Sequence, residues 1–175
     1  MKRKIFLLAL FLFVGLGSMQ PVMATPSCNR QVKEKSEVEL YMQKLAKTRA
    51  AGGIDYAYIS VAMFKQMFSE MLAGDALKVF GSLRYMRQFM STNEAGYNRL
   101  KNAMLPFLGG DEEVMGMKLM VLNSEDNEQS IVYSSSDAIL VLSDDGGEEL
   151  RVAFIVGMGY SEFMENGMDG FNFGF

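Results

Sequence analysis

AILVLSDDGGEELRVAFIV, residues 138–156, reads as two strands joined by a turn. AILVLS and ELRVAFIVGM are apolar runs of strand length, and the residues between them are polar or glycine. Asp145-Gly146-Gly147 suits a tight hairpin, because the central residues of such turns take positive φ and glycine does so without steric cost. Upstream lie two more strand-length runs, VMGMKLMVL (114–122) and SIVYS (130–134), with SEDNEQ (124–129) and SSD (135–137) as connections. The whole stretch from Val114 is therefore expected to be an antiparallel meander.

The N-terminal half has a different texture. Ser36-Glu37-Val38-Glu39 is a capping box, in which the Ser36 hydroxyl accepts from the Glu39 N–H and the Glu39 carboxylate reaches back. Val38, Tyr41, Met42 and Leu45 follow at helical spacing, and Gly52-Gly53 ends the helix. IDYAYIS (54–60) is rich in β-formers and reads as a strand. Met63, Phe64, Met67, Phe68, Met71 and Leu72 then form one apolar stripe of an amphipathic helix that ends at Gly74-Asp75. LRYMRQFM (83–90) fits strand or helix by period alone. A second capping box, Ser91-x-x-Glu94, opens a helix directly after it and favours the strand. That helix turns Tyr97, Leu100 and Met104 inward and stops near Pro106 and Gly109-Gly110. Helix–strand units first and strands afterwards predict an α+β fold. The expected form is two layers: an antiparallel sheet of about five to six strands, with two to three helices packed on one face.

The first residues predict export. Met1-Lys2-Arg3-Lys4 carries the only charges before Arg30, and the apolar run Ile5–Val14 follows. Val22-Met23-Ala24 supplies a cleavage site of the A-x-A kind. The run is too short for a membrane span, which needs about 20 apolar residues. Residues 1–24 are thus expected to be a signal peptide and 25–35 a polar leader. Residues 36–160 form a single α+β domain, and 161–175 a tail rich in glycine and phenylalanine. No later segment reads as a transmembrane span.

Charge is unevenly spread. Residues 25–110 carry 12 bases and 7 acids, whereas residues 111–175 carry 2 bases and 14 acids. An acidic mature chain argues against nucleic acid as a partner. The acids fall mostly in turn-like sequence, where solvated turns account for them.

The composition removes most catalytic chemistry. With no histidine and a single cysteine, Cys28, the chain has no imidazole base, no Cys–His pair, no thiol metal cluster and no internal disulfide. Lipidation of Cys28 is disfavoured, since Thr25-Pro26-Ser27 lacks the aliphatic residue of a lipobox. Asp144, Asp145, Glu148 and Glu149 crowd one turn and Asp111, Glu112 and Glu113 another, but DDGGEE lacks the alternating oxygen ligands of a calcium loop. Met63, Met67 and Met71 share the one-turn spacing of thioether copper(I) sites, though interleaved phenylalanines read more simply as core. Ser134-Ser135-Ser136 has no base to activate it, and no glycine pattern matches a nucleotide loop. No catalytic, cofactor-binding or metal-binding residue is expected.

Tyr58-Ile59-Ser60-Val61-Ala62-Met63-Phe64, a strand running straight into a helix, resembles the signature of the exported bacterial family called domain of unknown function 4252. The order of elements is similar from about Lys35 to Gly159, and the polar leader and Phe-rich tail depart from it. The resemblance implies an envelope location in a Gram-negative bacterium and an α+β fold. It implies no reaction, cofactor or catalytic residue. The junction also has a local reading: Ser60 caps the next helix by accepting from its first amides.

Three functions are compatible with these residues. The favoured one is a non-catalytic envelope module that binds a protein or peptide, with an edge strand accepting a partner strand. The second is a weak ligand or metal-ion binder using the acidic turns or the methionines. The third, a hydrolase working with carboxylates alone, needs two carboxyl groups facing each other across a cleft.

Overall fold

The computed structural model describes residues 35–68, 82–125 and 128–161. The segment expected to be a signal peptide, the expected polar leader up to residue 34 with Cys28, the expected end of the Met63 helix from Met71 and Leu72 to Gly74-Asp75, and residues 162–175 of the expected tail lie outside the described residues. Helix α1 spans Glu37–Thr48 and runs into a 3-10 turn, Arg49–Ala51. Then follow β1 (Ile54–Ser60), α2 (Val61–Phe68), β2 (Tyr85–Ser91) and α3 (Glu94–Leu108). Five strands complete the described chain: β3 (Glu113–Val114), β4 (Met117–Glu125), β5 (Glu128–Ser134), β6 (Ala138–Asp144) and β7 (Leu150–Val156). All seven strands form one sheet in the order β1-β2-β7-β6-β5-β4-β3, antiparallel at every pairing. The fold is α+β, as the sequence predicts.

The seventh strand comes from a turn that the sequence reading passed over. Met115 (φ 51°) and Gly116 (φ 74°) both have positive φ and fold VMGMKLMVL into a hairpin. Glu113 thereby pairs with Lys118 and Val114 with Met117. Two consecutive positive-φ residues match the twist of antiparallel strands, and glycine takes the second position easily. The β6–β7 hairpin forms where expected. Its loop runs from Asp145 to Glu149, with positive φ at Gly146 and Gly147.

The capping box of α1 is present: Ser36 N–H donates to Glu39 Oε2 (3.1 Å), and Glu39 N–H donates to Ser36 Oγ (3.3 Å). The expected second box is not. Asn93 caps α3, its Oδ1 accepting from Gly96 N–H at 2.8 Å. Ser91 is still the last residue of β2, and its hydroxyl accepts from Leu150 N–H (2.8 Å) inside the sheet. Helix α3 runs through Pro106 to Leu108 and ends at its C-cap Gly109, where the sequence places the stop. Ser60 does cap α2, accepting from Met63 N–H at 3.3 Å.

One cluster of apolar residues joins helices and sheet. Val38, Met42 and Leu45 of α1 and Tyr97, Leu100, Met104 and Phe107 of α3 belong to it. The alternate strand residues Phe89, Ile131, Tyr133, Leu140, Leu142, Val152 and Phe154 complete it. Phe107 meets Tyr133 edge-on, with ring centroids 5.5 Å apart. Such ring pairs add about 1 kcal/mol to what burial of their area contributes. The opposite face of the sheet centre is buried too, through Met86, Gln88, Val132, Ile139, Val141, Ala153 and Ile155. β6 and β7 are hence apolar at almost every position rather than at alternate ones.

Candidate binding site at the sheet edge

Among the described residues β1 is an edge strand, and there it pairs only with β2. The phase of that ladder is fixed by the bond from Thr92 N–H to Gly53 C=O (3.0 Å). In an antiparallel pair, residues that exchange such bonds alternate with residues whose N–H and C=O point the other way. Gly53, Asp55, Ala57 and Ile59 therefore bond inward to β2. The main-chain groups of Ile54, Tyr56, Tyr58 and Ser60 point outward. Tyr58 is also one of the exposed large apolar side chains, at 47%.

The outward residues carry an unusual cluster. Register places Tyr58 opposite Arg87 and Ser60 opposite Tyr85. The Arg87 guanidinium lies 5.3 Å from the ring centroids of both Tyr58 and Tyr85, and those two rings stack 5.5 Å apart. Arg87 Nη1 donates to Tyr56 Oη at 2.7 Å, so the charge reaches from β2 out over the edge strand. Arg87 Nε is buried without a partner. Tyr85 in turn donates to Glu39 Oε1 (2.8 Å). Burial first, and then the Glu39 carboxylate, push the Tyr85 phenol far above its usual range. Tyr85 is thereby fixed as a neutral donor, and it ties the cluster to the capping box of α1.

Beside this cluster lies a shallow open groove of about 480 Å³, lined by Gln43, Ala46, Lys47 and Ala50 of the α1 segment and by Tyr56 and Arg87. No acid lines it. Among the described residues, Arg84 is matched to Asp137 (3.2 Å) and Glu39 (3.9 Å), Lys101 to Asp144 (3.2 Å) and Arg151 to Glu149, while Arg99 donates to the main-chain oxygens of Ala51 and Gly52 and Lys35 to Gln43.

The residues singled out from sequence are placed as follows. Asp145 and Glu148 are exposed in the β6–β7 loop, but Asp144 is buried and not part of a solvated turn. It is the last residue of β6 and faces α3. Tyr97 donates to its carboxylate at 2.9 Å, Lys101 Nζ at 3.2 Å and Gly146 N–H at 3.2 Å. Lys101 also donates to Tyr97 Oη (2.7 Å). Burial pushes the Tyr97 phenol up, and hydrogen bonding to Tyr97 raises Lys101. Both shifts hold the groups in their ordinary protonation states, which suits a structural anchor. Asp111, Glu112 and Glu113 are exposed. Among the described residues, no group of three or more Asp, Glu, His or Cys could hold a metal ion. Met63 is exposed at 38%, while the side chains of Met67 and Met71 lie outside the described residues. The Ser134 hydroxyl donates to the main-chain oxygens of Ser135 (2.9 Å) and Ala138 (3.1 Å), within the β5–β6 turn. Among the described residues, no helix is long and apolar enough to cross a membrane.

The sequence reading missed Lys47, Tyr56, Arg87 and Gln43. The alternation of Tyr56 with Tyr58 and of Tyr85 with Arg87 was visible, but only the strand register shows that they meet. Comparison with family models, with curated proteins and with solved structures gives no match for this chain. The likeness to domain of unknown function 4252 rests on the Tyr58–Phe64 stretch and the order of elements.

Proposed function

We propose that the protein is a non-catalytic interaction module of the bacterial envelope, and that it takes an extended segment of a partner protein as an added strand along β1. The observation that carries this reading is the exposed edge at Tyr58, whose main chain points away from β2, next to a groove able to receive alternate side chains of that segment. Strand addition draws affinity from main-chain hydrogen bonds and specificity from side-chain pockets. The charged N-terminus and the Ile5–Val14 run support export, and the likeness to an exported family supports the envelope. The absence of histidine from the sequence supports a binding role over a catalytic one.

The test uses a displayed library of random extended peptides, selected on the purified protein and on two variants. Tyr58→Pro removes an outward N–H and leaves the inward ladder to β2 intact, as edge positions allow. Tyr58→Ala removes the same ring but keeps the N–H. Strand addition predicts that selected peptides lose at least tenfold more affinity to the proline variant than to the alanine variant. Equal losses contradict it.

A further inference from the structure

We infer that the groove beside β1 recognises an acidic side chain, Asp or Glu, on the segment that pairs with that strand; this rests on the strand-addition reading and specifies its ligand. Three observations converge on it.

The first is the state of Arg87. Among the described residues its guanidinium meets two aromatic rings and a phenol oxygen, and it forms no ion pair. Arg84, Lys101 and Arg151 each hold a carboxylate. A half-buried cation without a counter-charge is costly, and an arriving anion relieves that cost.

The second is preorganisation. The rings of Tyr58 and Tyr85 each lie 5.3 Å from the guanidinium carbon, and the Tyr56 phenol fixes one end of the group. An arginine held in this way loses little rotamer freedom when a carboxylate binds. The sealed Nε directs an approaching anion to the outer nitrogens of the guanidinium.

The third is the sign of the lining. Lys47 stands across the groove on α1, and the remaining lining residues, Gln43, Ala46, Ala50 and Tyr56, are uncharged. Two cations with no acid between them among the described residues complement a single carboxylate. A strand laid along β1 would place every second side chain on the face that holds Tyr56, Tyr58 and Arg87. One such side chain therefore arrives between Lys47 and Arg87.

The experiment titrates the full-length protein with three synthetic heptapeptides, followed by two-dimensional amide NMR. Each peptide alternates Thr and Val and differs only in its central residue: Glu, Gln or Lys. The expected result is binding of the Glu peptide at least tenfold tighter than of the Gln peptide, and weakest binding of the Lys peptide. Raising the salt to 0.5 M should narrow the difference, because exposed charges are screened within about 4 Å at that strength. Arg87→Met should bring Glu and Gln peptides to the same affinity. Lys47→Gln, an exposed change on α1 that leaves the sheet untouched, should narrow the gap several-fold and keeps the test open if Arg87→Met does not fold. Equal binding of all three peptides overturns acid recognition and leaves strand addition standing. Binding of none of them overturns both.

Discussion

Tyr97 on α3 and Asp144 at the end of β6 are locked together: the phenol donates to the carboxylate with both oxygens 2.9 Å away, and each residue is almost completely buried. The contact joins a helix to the end of a strand across 47 residues of sequence. Gly146 N–H and Lys101 complete the shell of the carboxylate. Tyr97→Phe keeps the packing and deletes one donor to a buried charge. It should lower stability by about 1–3 kcal/mol, the usual cost of leaving a buried polar group short of a partner. Urea unfolding followed by circular dichroism measures this, and an unchanged midpoint would show that water replaces the donor.

Alkaline pH should unfold the protein. Tyr41, Tyr85, Tyr97 and Tyr133 all hold their phenols above the ordinary value of 10.0, in each case chiefly through burial. Lys101 is likewise raised above 10.5, by its bond with Tyr97. A raised value means that the folded state binds the proton more tightly than the unfolded chain does. The resulting stability is fully present below about pH 10 and is lost as pH rises through the folded values. Thermal melts between pH 8 and 12, with tyrosinate absorbance recorded in parallel, should show Tm falling above pH 10. Part of the tyrosine signal should appear only with unfolding.

Glu39 serves two elements at once. It closes the capping box of α1 and accepts from Tyr85 on β2. Glu39→Ala should cost about 1–3 kcal/mol, combining a lost cap with an orphaned phenol. Glu39→Gln retains an acceptor and should cost less. The same pair of variants should change peptide affinity in that order, because Tyr85 forms one wall of the Arg87 site.

Gly96 admits no side chain. A Cβ there would stand 1.6 Å from the Gly53 carbonyl oxygen, where α3 passes over the start of β1. Since main chain and not a flexible side chain would have to yield, Gly96→Ala should be among the most damaging single changes, at about 3 kcal/mol or more. Soluble yield and Tm would report it.

The elements of the fold were mostly legible in the sequence, because period and turn chemistry act locally. The β6–β7 hairpin, the Ser36–Glu39 box and the inward Tyr97, Leu100 and Met104 all follow from short-range rules. The failures arise where tertiary contacts override local signals. Ser91 has the spacing of a cap but is held in β2 by its bond to Leu150 N–H. Asp144 looks like one more loop acid, yet Tyr97 and Lys101 bury it. AILVL and VAFIV are continuously apolar because β6 and β7 are buried on both faces, so they do not alternate as a half-exposed strand would. The Arg87 cluster was illegible for a related reason. It is created by the pairing of Tyr58 with Arg87 across two strands, and no spacing within either strand reveals it.

The most direct measurement is amide hydrogen exchange of β1, residue by residue, in the free protein and with the Glu peptide bound. Ala57 and Ile59, whose N–H groups point toward β2, should be protected in both states. Tyr58 N–H should exchange quickly in the free protein and slow at least tenfold on binding. Bound peptide with the exchange of Tyr58 unaltered would contradict strand addition along β1.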